Sequence, residues 1–237
     1  MTDASRRPGR PSGALRRLPP LYPIIDIDLC RVRDVDPVAL AAACVAGGAR
    51  LLQVRQKGSA GGSGALLTVV RGVIAACRPS GARIIVNDRA DIAAMADADG
   101  VHVGQQDLPV AAVRALAGRQ LIVGISTHTT EQIDEAAAGP ADYLAIGPIF
   151  RTSTKETDYA PRGLEMVRYA AAAGKPVVAI GGVNLGNARS VLEAGASSVA
   201  LISPLLAGPE PERTVRELIA DLEDGPETGV DPRNRNV

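Results

Sequence analysis

Eight times along this chain, a run of four or five mostly apolar residues is followed by a longer, alanine-rich stretch with helical spacing. The apolar runs lie at 22–26, 51–55, 83–87, 100–103, 121–125, 143–146, 177–180 and 198–202. They are nearly continuous in hydrophobicity, not alternating, which is the signature of strands buried on both faces of a parallel sheet. The stretches at 37–46, 65–77, 90–95, 109–115, 130–138, 163–173, 185–194 and 212–222 supply the crossover helices that parallel strands require. Eight such units close into a single (β/α)8 TIM barrel of the α/β class. An open doubly wound sheet is the alternative, but its glycine-rich turn after the first strand is missing, because residues 26–29 contain no glycine.

At 237 residues and 46% hydrophobic content, one domain is expected. The barrel is placed at 19–222. The basic, proline-containing segment 1–18 and the polar segment 223–237 are expected to be disordered tails. Lysine plus arginine balances aspartate plus glutamate at 26 each, so no global field draws the chain to nucleic acid or to a membrane surface. Aromatic residues, the platforms of single-strand nucleic-acid binders, make up only 2%. Three cysteines without metal-ligand spacing fit free thiols in a reducing compartment. With neither a membrane-length apolar run nor a signal-peptide core, the expected location is the cytoplasm.

In a barrel the C-terminal strand ends form one surface, and active sites lie there. At the end of the second strand, Gln53, Arg55 and Lys57 sit at i, i+2 and i+4, so all three point the same way, toward the mouth. The third strand ends in Asn87, Asp88 and Arg89, and Asp107 lies in the loop after the fourth. Two carboxylates on adjacent loops suit magnesium, which takes few protein oxygens and keeps positions for water and phosphate. The competing role for either aspartate is a helix cap.

The sixth strand leads into Thr152, Ser153, Thr154 and Lys155, hydroxyls beside a cation that can wrap a phosphate or form a plain polar turn. After the seventh strand, Gly181 and Gly182 allow backbone amides to approach an anion, with Asn184 as a candidate helix cap. Ile202 and Ser203 end the eighth strand. His102 reads as a satisfied barrel residue. His128, following Ser126 and Thr127, either reaches the mouth or helps cap the next helix.

Five blocks, QVRQK at 53–57, VNDRADIAAMADADGVHVGQQDLP at 86–109, GISTHT at 124–129, GPIFRTSTK at 147–155 and AIGGVN at 179–184, occur in order on successive strand ends. Together they resemble the thiamine phosphate synthase family, with agreeing spacing from Leu21 to Leu206. The resemblance implies a transferase that joins 4-amino-2-methyl-5-(diphosphooxymethyl)pyrimidine to a thiazole phosphate, releasing diphosphate, with Mg2+ as cofactor. By the same resemblance, Gln53, Val54, Arg55, Gln56, Lys57, Asn87, Ser126 and Lys155 hold the pyrimidine diphosphate. Arg55, Lys155 and Ser126 carry catalysis, and Asp88 and Asp107 bind the metal. Thr152, Ser153, Thr154, Gly182, Ile202 and Ser203 hold the thiazole phosphate. The partners so implied are small molecules, and assembly into a homo-oligomer is compatible with them.

The chain departs from the family pattern at Gln56, usually acidic, at Arg151, often proline, and at Ile25, usually a hydroxyl residue. The glycine-rich segment 58–64 is a candidate flexible lid. Two other functions share the motifs. A thiazole tautomerase on the same barrel would use a histidine such as His128 to move a proton. A non-catalytic barrel would keep the phosphate loops without turnover.

Overall fold

The computed structural model describes residues 17–58, 61–117, 121–152 and 159–223. Eight parallel strands, β1 Leu21–Asp26, β2 Leu51–Arg55, β3 Arg83–Asn87, β4 Gly100–Val103, β5 Ile122–Thr127, β6 Tyr143–Ile146, β7 Val177–Ala179 and β8 Ser198–Leu201, pair in sequence order. β8 returns to β1 and the barrel closes. The helices are α1 Ile27–Val32, α2 Pro37–Ala46, α3 Gly62–Cys77, α4 Ala90–Met95, α5 Val110–Ala117, α6 Thr130–Ala138, α7 Gly163–Ala172, α8 Ala188–Glu193 and α9 Pro211–Glu223. The fold is the (β/α)8 barrel expected from the strand pattern.

Two apolar layers hold it together. Outward-facing strand residues such as Ile25, Val54, Val86 and Leu144 pack against the helices, while Tyr22, Ile24, Leu51, Ile85, Ile122, Tyr143 and Val178 fill the barrel interior. Burying each aliphatic side chain of these layers contributes about 1.5–3 kcal/mol, and the few polar strand residues buried with them, such as Gln53 and His102, are hydrogen-bonded. Leu18, assigned to the tail from the sequence, is buried in the interior cluster just ahead of β1. The remainder of both tails, 1–16 and 224–237, lies outside the described residues. Cys30, Cys44 and Cys77 are free and buried in the outer layer, and none of the described helices is long and apolar enough to cross a membrane.

Local chemistry explains where elements begin. Asp36 accepts the Val38 amide ahead of Pro37 at the start of α2, and Thr129 accepts the Gln132 amide to cap α6. At the opposite end of the barrel, Asp99 accepts the Ile84 amide and Asp142 accepts the Val123 amide, so these carboxylates serve stability. α1 was not expected: it is a six-residue helix capped by Asp26, too short for its two buried residues, Ile27 and Cys30, to show a period. Gly62 and Gly64 already belong to α3, so the candidate lid shrinks. Residues 59 and 60 lie outside the described set.

Gly124 shows how tightly the interior is filled. A Cβ there would fall 2.0 Å from Tyr143 Cζ and 2.4 Å from its hydroxyl oxygen. Tyr143 is fully buried and has nowhere to move. Gly124→Ala is therefore expected to destabilise the barrel by about 1–3 kcal/mol, the usual cost of overpacking, read as a lower midpoint in urea. An unchanged midpoint would mean that the ring has room the packing does not show.

Candidate active site at the barrel mouth

The C-terminal strand ends surround an open cavity of about 700 Å³. It gathers Gln53, Arg55, Lys57, Asn87, Asp88, Asp107, Ser126, Thr152, Gly182, Ile202 and Ser203 from the residues singled out in the sequence. Val54 is not among them: by strand alternation its side chain faces the helices in the outer core. Gln56, next along the same strand end, also stays off the cavity wall. Ser153, Thr154 and Lys155 lie outside the described residues.

Charges at the mouth are paired across strands. The register sets Asp26 beside Arg55, and the two form an ion pair with both side chains largely buried. Asp26 also accepts the Leu29 amide, so one carboxylate caps α1 and orients the guanidinium. Lys57 Nζ lies 2.5 Å from Asp88 Oδ2. The Lys57 and Gly58 amides each donate to Asp28 Oδ2 at 2.8 Å, which anchors the chain just beyond β2. Neither Asp26 nor Asp28 was singled out as functional from the sequence; an Asp-x-Asp beginning on the last residue of the first strand was the available signal.

Asp88 and Asp107 lie near enough across the mouth for each carboxyl group to shift the titration of the other. Burial pushes Asp88 above the usual carboxylate range, helped by Asp107 and opposed by Lys57. Asp107 is also desolvated, but neighbouring Asp88, the Gly104 amide and the nearby Lys57 hold it below that range. Neither residue is a helix cap. Arg89 precedes α4 and makes no side-chain cap, and Asp107 accepts the Gly104 amide at 2.7 Å within its own loop. Asp88 instead has a positive φ of 60°, a conformation that Asp tolerates better than most residues. Two carboxylates lining one cavity offer oxygen donors that fit a hard divalent cation and would leave coordination positions open for water and phosphate. Among the described residues no cluster of three or more His, Cys, Asp or Glu offers a closed metal cage.

The side-chain amide nitrogen of Asn87 is buried and has no hydrogen-bond partner among the described residues, although Asn87 lines the cavity. Such a donor costs about 1–3 kcal/mol if left unsatisfied, so it calls for an acceptor that the described residues do not supply. His102 bonds Tyr143 Oη through Nδ1 at 3.0 Å and Ser126 Oγ through Nε2 at 2.9 Å, the satisfied barrel residue expected. His128 is also tied down. Its Nδ1 lies 2.6 Å from the Gly147 carbonyl, its ring stacks on Tyr159 at 4.2 Å, and Arg162 lies over that tyrosine. Its backbone amide donates to the Gln132 side chain, reinforcing the start of α6.

At the other side of the mouth, Gly181 and Gly182 adopt positive φ values of 92° and 68°. A Cβ on Gly182 would meet the Arg151 carbonyl at 2.5 Å, so this glycine is demanded by the neighbouring loop as well as by any anion. Asn184 does not cap α8. Its side chain accepts the Gly186 amide in a tight turn, and Asn187 is the residue that precedes Ala188. That turn shortens α8 relative to the sequence pattern.

A family model described as thiamine monophosphate synthase matches residues 21–205. A thiamine-phosphate synthase of Chlorobium luteolum is 42% identical over 195 residues, covering 81% of this chain and 91% of that protein. One from Anaeromyxobacter dehalogenans is 41% identical over 215 residues, covering 90% and 92%. Among solved structures, a thiamine phosphate pyrophosphorylase from Pyrococcus furiosus superposes with a TM-score of 0.79 at 32% identity, covering 88% of this chain and 98% of that one.

Proposed function

This chain belongs to the thiamine monophosphate synthase family, and on that premise we propose that its mouth joins a pyrimidine diphosphate to a thiazole phosphate. The observation that carries the reading is the convergence of Arg55, Lys57 and the Asp88–Asp107 pair on one cavity wall. In this reading the bond between the pyrimidine methylene carbon and the diphosphate oxygen breaks, and the electron pair leaves with the diphosphate. The thiazole nitrogen then donates its lone pair to that carbon, giving thiamine phosphate. When the thiazole carries a carboxylate, carbon dioxide is lost.

Arg55 and Lys57 face the charge that grows on the leaving oxygens, held in place beforehand by Asp26 and Asp28. Asp88 and Asp107 would hold magnesium, which when bound supplies further neutralisation of the diphosphate. Lys155 adds a third cation by family resemblance. Asn87 and Ser126 orient the pyrimidine half, while Thr152, Ser153, Thr154, Gly182, Ile202 and Ser203 hold the thiazole phosphate. No side chain needs to act as nucleophile, so the site works by positioning and by excluding water. The reducing cytoplasm is the setting that suits three free thiols.

The test is direct. The full-length protein, given both heterocycles and magnesium, should form thiamine phosphate and diphosphate. His128→Ala should keep that activity within about tenfold, because its imidazole is engaged by the Gly147 carbonyl and Tyr159 and acts as wall, not as base. Isomerisation of the thiazole with no joined product, lost in His128→Ala, would overturn the assignment.

A further inference from the structure

At the floor of the cavity, five side chains from five different strands form one continuous hydrogen-bonded chain, and all but Tyr143 line the cavity. Gln53 Nε2 donates to Tyr22 Oη at 3.2 Å, and Tyr22 Oη lies 3.1 Å from Tyr143 Oη. Tyr143 Oη lies 3.0 Å from His102 Nδ1, and His102 Nε2 lies 2.9 Å from Ser126 Oγ. Gln53 and Ser126, the two ends, both line the mouth. Tyr22 and Tyr143 are 1% and 0% exposed, so their hydroxyls cannot turn to water.

These constraints give the chain a direction. Burial raises both phenols well above their ordinary range, so each keeps a hydrogen that needs an acceptor. Tyr22, accepting from Gln53, must give its own hydrogen to Tyr143, because an unsatisfied buried donor is costly. Tyr143 must then donate to His102 Nδ1. A neutral His102 therefore carries its proton on Nε2 and donates to Ser126, whose own hydrogen is left to point at the cavity.

We propose that Tyr22, Tyr143 and His102 are positioning residues that transmit the orientation of the Gln53 amide to Ser126, making Ser126 a fixed hydrogen-bond donor to the bound ligand. Its ligand, resting on the function proposed above, is an acceptor atom of the pyrimidine diphosphate. The arrangement is reversible in principle. If Gln53 presented an acceptor to Tyr22, every hydrogen in the chain would turn round, the imidazole proton would move to Nδ1, and Ser126 would become an acceptor from the ligand's side.

The test reads the tautomer in the full-length protein without substrate. Only two histidines occur in the sequence, so nitrogen NMR of histidine-labelled protein can be assigned with His128→Ala alone. At about pH 8.5, where an ordinary imidazole is neutral, wild-type His102 should be protonated on Nε2. Gln53→Glu, which can only accept, should move that proton to Nδ1, and should fail to do so when Tyr143→Phe interrupts the chain. A wild-type ring protonated on Nδ1, or a tautomer indifferent to Gln53→Glu in the folded variant, overturns the proposal.

Should Gln53→Glu not fold, activity decides. Tyr143→Phe should lower kcat about fivefold to tenfold, with KM for the pyrimidine diphosphate within about twofold. Ser126→Ala added to Tyr143→Phe should then cost no more than Ser126→Ala alone, because the phenol acts only through the serine. Fully additive losses would refute the relay. A wild type that makes no joined product would sink the functional reading and not the relay, on which the tautomer measurement rules independently.

Discussion

Asp88→Asn is expected to lower the rate of thiamine phosphate formation about a hundredfold or more, and chelation of the wild type with EDTA is expected to abolish it until magnesium is returned in excess. The substitution keeps the size of the side chain and one oxygen, and removes the charge that a divalent cation needs. It also removes the partner of Lys57, whose ammonium lies 2.5 Å from the carboxylate, so the variant separates two effects. If Asp88 serves only to hold Lys57, excess magnesium will not alter the loss. If it binds the cation, the magnesium concentration needed for half-maximal rate will rise. The sign of the pH dependence follows from the pair. Asp88 titrates above the usual carboxylate range without metal, so protons compete with magnesium as pH falls through that raised range, and metal affinity should weaken there. Full activity of Asp88→Asn at low magnesium would remove Asp88 from the metal site.

Arg55→Ala is expected to cut kcat/KM by about a hundredfold or more, since it deletes a cation facing the leaving diphosphate. The substitution opens no cavity in the core, but it carries a stability cost through its ion-pair partner. Asp26 is 5% exposed, and without Arg55 it becomes a buried carboxylate lacking its partner. A stability loss of about 1–3 kcal/mol should accompany the lost activity. Adding Asp26→Asn should recover most of the stability and none of the rate, which tells a charge needed for chemistry from one needed for folding. Recovery of both would assign Arg55 a structural role only. Lys155→Ala should match Arg55→Ala in rate, being the third cation of the proposed diphosphate site.

The barrel was legible because its strands are buried on both faces: each stood out as an apolar run bounded by polar residues, and the mouth-facing residues followed from period-two alternation at strand ends. Gln53, Arg55 and Lys57 share the cavity wall for that reason, and Val54 is excluded from it for the same reason. What could not be read were the contacts that depend on closure. Tyr22 and Tyr143 touch across 121 positions of sequence, and Asp26 meets Arg55 across 29. No local pattern distinguishes a tyrosine that fills the interior from one that links the interior to the mouth. α1 escaped because one turn and a half cannot show a helical period, and the start of α8 was misplaced because Asn184, a residue type suited to capping, closes a turn onto Gly186 instead.

The return of β8 onto β1 has a consequence for how the chain can be rearranged. The proposed ligand contacts all sit at one rim, whereas the connections at 78–82, 139–142 and 173–176 run at the other rim and carry none of them. Because the sheet is a ring, the place where the polypeptide starts is topologically arbitrary. A gene reordered to open at 78–82, with Leu18 and Glu223 joined by an added linker, would keep every strand beside its present neighbours and every proposed ligand contact at the same rim. Reopening the chain at 147–152 would instead cut through the loop that carries Thr152 and meets Gly182.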